Sequence, residues 1–157
     1  MKVLSWFFVL CLLAWLAIRP AEAKPVLKGF DLDVSCLALN VYHESAHESV
    51  QSRQAVALVT VNRMYNRKLD VCDTVFQPKQ FSWTIGSLDG NRLKPAYLPR
   101  GKKWQEARKI AHSVLTGQVK DFTKGATHYH AYYVHPYWAS KMRKVGKWGS
   151  HYFYVKA

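Results

Sequence analysis

Beyond residue 23 the chain carries only three glutamates, at positions 44, 48 and 106. Each sits in a different setting. Glu106 lies among Gln105, Arg108 and Lys109, on the polar side of a helical pattern where a solvated charge belongs. Glu48 falls between two helical stretches, where a carboxylate meets the positive end of the second. Glu44 instead continues the apolar side of the first stretch and occupies its last turn. Burial and the negative helix end both disfavour a carboxylate there. A carboxyl group that keeps its proton near neutral pH is equipped for general acid catalysis. A core glutamate hydrogen-bonded for structure fits the same placement.

A second chemistry overlaps the first. His43-Glu44-Ser45-Ala46-His47 spells H-E-x-x-H, the zinc-binding pattern of many metallopeptidases. A catalytic zinc needs a third protein ligand. No histidine or glycine follows at the extended spacing, which leaves His128 and His130, on one face of a predicted strand, to complete such a site. The pattern also lies at a helix end, whereas a zinc pair needs both histidines on a continuous helix.

Aromatic residues supply a third signal. Phe81, Trp83, Tyr97, Tyr129, Tyr132, Tyr133, Tyr137, Trp138 and Trp148 are dense in a loop-rich half that cannot bury them all. Rings with polar handles, beside amides such as Gln80, suit the C–H faces and hydroxyl rims of sugars.

The elements that position these groups form an α+β pattern. Asp31 or Asp33 is placed to cap a first helix in which Cys36, Leu37, Asn40, Val41 and Glu44 recur at three- and four-residue spacing. A second helix runs from about Ser49 to Arg67 and is apolar on several sides. Residues 68 to 101 lose periodicity and carry a turn candidate at Asp89-Gly90. Helical spacing returns from Trp104 to Leu115 and stops at Gly117. Two strands are predicted, at 127–134 and 151–155. The expected architecture is one α+β domain with a helical part facing a β part across a cleft.

That domain is preceded by a different kind of segment. Lys2, an apolar run from Val3 to Ile18 and a small-x-small site ending at Ala23 describe a secretory signal peptide, 1–23, ahead of a domain at 24–157. The run is short for a bilayer span, so no lasting membrane insertion is expected. The full chain has net charge +13. Removing Lys2, Arg19 and Glu22 with the leader leaves +12, which implies an anionic partner. Export argues against nucleic acid and for an anionic cell wall. In an oxidising compartment Cys36 and Cys72 read as one disulfide, with two buried thiols as the alternative.

Six blocks, in order, resemble the spore-cortex-lytic (SleB-type) cell wall hydrolases. They are Cys36-Leu-Ala-Leu-Asn-Val-Tyr-His-Glu44, Gln54 to Arg63, Val71 to Gln77 with Gln80-Phe81-Ser82-Trp83, Gly125 to Ala131, Pro136 to Ala139, and Gly149 to Tyr154. One departure stands out: where the family reads Ala-Arg-Gly-Glu after its catalytic glutamate, this chain has Ser45-Ala46-His47-Glu48, which makes the H-E-x-x-H an accident of substitution. The resemblance implies a lysozyme-like fold and cleavage of peptidoglycan glycan strands after N-acetylmuramic acid. The reaction implied is that of a lytic transglycosylase, with Glu44 as the single acid and base and no cofactor. A hydrolytic muramidase would need a second carboxylate, for which Asp89 and Asp121 are the candidates. Asn62, Gln80, Phe81, Ser82, Trp83, His128, Tyr129 and His130 are the expected groove residues. Gln80 and Ser82 would bond acetamido groups, Trp83 would stack on a sugar, and His128 or His130 would orient the acid. The expected protein is a monomer in the periplasm or at an extracellular wall, of bacterial or phage origin.

Overall fold

The computed structural model describes residues 29–86 and 98–156, with the backbone of 88–89 and 92–93. The predicted signal peptide and the side chains of Asp89 and Tyr97 lie outside the described residues. Helix α1 (Phe30–Ser45) is followed by α2 (Val50–Arg67), the short α3 (Val71–Val75) and a 3-10 turn at Ser82–Thr84. Strands β1 (Leu88–Asp89) and β2 (Arg92–Leu93) pair antiparallel; Gly90 of the turn predicted at Asp89-Gly90 lies outside the described residues. Then come α4 (Lys102–Leu115), β3 (His128–Ala131), a second 3-10 turn (Ala139–Lys141), β4 (Met142–Trp148) and β5 (His151–Lys156). The second sheet is antiparallel throughout, in the order β3-β5-β4.

Helix α2 explains the layering. Ala57 and Leu58 pack with Leu37, Val41, Trp104, Ala107 and Ala111 of α1 and α4. Ala55, Val56 and Val59 meet Phe153 and Val155 of β5. Alanines at two of these positions, 55 and 57, let neighbours approach the helix axis from both sides, and each fully buried valine or leucine contributes roughly 1.5–3 kcal/mol. The helix starts at Ser49, whose hydroxyl accepts from the Ser52 amide at 3.2 Å. At α1 the expected aspartate cap is not used. Gly29 occupies the cap position and its carbonyl takes the Leu32 and Asp33 amides, while Asp31 and Asp33 lie in the first turn, where their charges still meet the positive helix end.

Strand β4 was not predicted, because Met-Arg-Lys-Val-Gly-Lys-Trp looks too charged for a sheet. It is an edge strand, where lysines guard open backbone groups. A bulge falls between Lys144 and Gly146. A Cβ at 146 would come within 2.5 Å of the Trp148 ring, so the absent side chain lets Trp148 fold over the strand onto Phe153 and Phe122. A disulfide joins Cys36 of α1 to Cys72 of α3.

Candidate active site

Glu44 is half-buried at the C-terminal end of α1, where the helical part meets β3. Both carboxylate oxygens are held: Oε1 accepts from Trp83 Nε1 at 3.1 Å and Oε2 from the Tyr129 hydroxyl at 3.1 Å. Trp83 arrives on the 3-10 turn after α3, and Tyr129 on β3. Burial first, and then the facing Glu44, push the Tyr129 hydroxyl well above its ordinary pKa. It therefore stays protonated and donates. Behind it, Asn40 opposes that upward shift; its Oδ1 accepts from Thr60 at 2.9 Å, and its buried Nδ2 makes no hydrogen bond among the described residues. Asn40 precedes Glu44 by one helical turn, so α1 itself carries both the carboxyl group and a side chain that acts on its donor's pKa.

Arg63 closes the back of this cluster. It is only 7 % exposed, and its guanidinium lies 5.7 Å from the Tyr129 ring centre and 5.9 Å from that of Phe81. Nε donates to the Thr127 carbonyl at 2.6 Å. Burial pulls its pKa down and Arg67 adds to this, with the facing Glu44 acting the other way.

Several expected groove residues take other roles. Trp83 stacks on His43 (4.5 Å, 18°) and lies nearly parallel to Phe81 at 5.8 Å, so it holds Glu44 with its N–H and packs against protein rings rather than offering an open sugar platform. Phe81 is buried. Asn62 faces away from the acid: its amide donates to Asp121 and the Ala126 carbonyl, both at 3.1 Å, and ties the 121–126 loop to α2. Asp121 accepts from the Thr123 and Gly125 amides as well, which lowers its pKa against the opposing effect of burial and marks it as a loop clasp, not a second catalytic carboxylate. Gln80 accepts from Arg67 at 3.3 Å, and Ser82 is exposed.

Strand alternation separates the remaining three. Tyr129 faces Glu44, so His128 and His130 face the opposite side of β3. There His130 bonds the Tyr154 hydroxyl at 2.8 Å and both histidines pack near Trp138. Neither orients the acid.

The zinc arrangement is not assembled. His47 lies beyond the end of α1, with the Lys103 ammonium 2.8 Å from its Nδ1, and the His43 ring is stacked on Trp83. A lysine cation beside one ligand and helix termination between the two work against a shared metal. Among the described residues no group of three His, Cys, Asp or Glu side chains gathers around them.

Glu48 and Glu106 do more than expected. Glu106 is not a free surface charge; it pairs with the buried Arg53 at 3.0 Å. Glu48 is the centre of a polar clasp between α2 and the β4–β5 turn, accepting from the Ser52 and Ser150 hydroxyls and from the Ser150 amide at 3.2 Å, with His151 at 3.3 Å. Gly149 makes this approach possible: its φ is +57°, and a Cβ there would overlap the Glu48 carboxylate. His151 in turn meets the Tyr129 ring edge-on at 5.3 Å, so the clasp borders the acid's donor. Burial raises the Glu48 pKa, but the Ser150, Ser52 and His151 contacts outweigh it and the net shift is downward. A depressed folded pKa means this stabilisation is present above the unfolded value near 4.5 and is lost as pH falls through the folded one. Glu48→Gln is therefore expected to lower stability at pH 7 and to flatten the fall in melting temperature below pH 4.5. A variant with an unchanged acid limb would show that the clasp carries no charge-dependent stability.

The family description "Cell Wall Hydrolase" matches residues 47–154, a stretch beginning three residues after Glu44. Two solved structures share the fold. One is the catalytic domain of the germination-specific lytic transglycosylase SleB from Bacillus anthracis, with TM-score 0.61 and 23% identity over 88% of this chain and 100% of that one. The other is the catalytic domain of the Bacillus cereus SleB protein, with TM-score 0.60 and 25% identity over 86% and 99%. No individually curated protein matches the chain.

Proposed function

Since the chain belongs to the cell wall hydrolase family, we propose that it cleaves peptidoglycan glycan strands after N-acetylmuramic acid, as a lytic transglycosylase with Glu44 as its acid and base. The observation that carries the reading is the holding of Glu44: each oxygen meets one neutral donor, Trp83 and Tyr129, and among the described residues no second carboxylate contacts it. Glu48 and Asp121 are engaged elsewhere.

The protonated Glu44 gives its hydrogen to the glycosidic oxygen, and the bond from that oxygen to muramic C1 breaks. The oxygen leaves as the hydroxyl of the neighbouring sugar, while C1 becomes oxocarbenium-like. The Trp83 and Tyr129 donors stabilise the carboxylate so formed. The muramic C6 hydroxyl then bonds to C1 and passes its proton to Glu44. The acid is restored and a 1,6-anhydro ring is left. No water and no second carboxylate enter the step, which is why one glutamate suffices. The strong positive charge is consistent with work in an anionic wall outside the cytoplasm.

Product analysis tests the reaction class. Purified peptidoglycan digested by the protein is expected to release muropeptides ending in anhydromuramic acid, one water lighter than the reducing-end products. Reducing ends alone would make the protein a hydrolase and require a water-activating partner for Glu44.

A further inference from the structure

A cavity of about 440 Å³ opens between the end of α2 and the β3–β5–β4 sheet and shares Arg63 with the site. Arg63, Arg67, Lys124, Arg143 and Lys156 line it, and among the described residues no carboxylate does. Five cations converging on one concavity repel one another and are stabilised by an anion. The innermost of them, Arg63, is also incompletely satisfied. Its Nη1 is buried and makes no hydrogen bond among the described residues, although a buried guanidinium normally has partners for its donors. The field is felt by His128 on the same wall, whose pKa is lowered by burial and then by Arg63, Lys156 and Arg67. The nearest carboxylate of the adjoining loop, Asp121, is committed to Asn62, Thr123 and Gly125.

The cavity connects to the acid through single side chains. Arg63 lies against the ring of Tyr129, whose hydroxyl bonds Glu44, and Arg67 bonds Gln80, next to Phe81 and three residues from Trp83. Muramic acid carries its peptide on the lactyl arm, close to the bond that would break, and that peptide bears free carboxylates. Guanidinium groups recognise carboxylates by paired N–H donors.

We propose that this basic cavity binds the carboxylates of the stem peptide of the strand being cut, so that the protein prefers peptide-bearing glycan to bare glycan. The inference rests on the glycan-cleaving reading. Exposed Arg143 and Lys156 are the positions to change, because neither contributes to the core.

The test compares kcat/KM on intact strands with that on strands stripped of peptide by an amidase, for the wild type and for Arg143→Gln/Lys156→Gln. The ratio is expected to favour intact strands in the wild type and to fall about tenfold in the double variant, the equivalent of about 1.4 kcal/mol. Calorimetric titration with the isolated stem tripeptide is expected to give binding to the wild type that weakens in parallel. An unchanged ratio in a variant with native melting temperature overturns the inference. So does a double variant that loses binding of inorganic phosphate while keeping that of the tripeptide, which would assign the cavity to a phosphodiester polymer. If the wild type cuts neither substrate, the glycan-cleaving reading fails; tripeptide titration still reports on the cavity by itself.

Discussion

Glu44→Gln is expected to reduce release of muropeptides by about 10³-fold or more, within the range that a positioned general acid supplies, and to leave the fold intact. The second half of that statement follows from the donors. Trp83 Nε1 can only donate, whereas the Tyr129 hydroxyl can donate or accept. A glutamine therefore turns its oxygen to Trp83 and its amide N–H to Tyr129, replacing both 3.1 Å hydrogen bonds of the native acid. Each exchanged bond is worth about 1 kcal/mol, so the melting temperature should move by only a few degrees. What the amide cannot do is give up a proton to a leaving oxygen. Purified variant and wild type, matched by melting curve and assayed on the same wall preparation, separate chemistry from folding. Native-rate release by the glutamine form would remove Glu44 from the reaction, and the Trp83–Tyr129 pair would then be holding a structural carboxyl group.

The helices were legible in the sequence because their apolar spacing is long and regular. Helix α2 carries small residues on two sides, and that pattern required packing partners on both. Glu44 stood out for a related reason: it continues the apolar side of α1 into that helix's last turn. Its donors were harder to sort. Tyr129 was expected beside His128 and His130, yet strand alternation allows only one parity toward the acid, and a sequence pattern does not say which. Buried apolar residues at 153 and 155 on the partner strand decide it, since they pair on the side of Tyr129 rather than the histidines. The Glu48 clasp was invisible for a different reason. Its partners Ser150 and His151 lie about a hundred residues away and meet it only because Gly149 admits the carboxylate. Asn62 misled through its type: an amide near an acid suits a sugar, but this one is consumed by the 121–126 loop. Arg63, buried among rings, ends the block Gln54 to Arg63 that resembles the family, but helical spacing alone does not distinguish it from the exposed Arg67 one turn later.

Removing the Cys36–Cys72 bond is expected to produce the largest loss of stability among single covalent changes. The bond spans 36 residues and encloses the whole of α2. Closing a loop of that length contributes about 4 kcal/mol on the chain-entropy account, which for a domain of this size corresponds to a fall in melting temperature on the order of 10–15 °C. Cys36→Ala/Cys72→Ala should show that fall and become insensitive to dithiothreitol, while the reductant should move wild type toward the double variant. The loss should exceed any change in cleavage rate at 25 °C. Trp83, the acid's donor on the segment after α3, is held by contacts with His43, Phe76 and Phe81 that do not need the bond. The bridge thus sets how long the site survives rather than how it works, and its contribution exists only in an oxidising compartment. Equal melting temperatures for oxidised wild type and the double variant would show instead that α3 docks through Val71 and Val75 alone, and the crosslink would add nothing that packing had not already supplied.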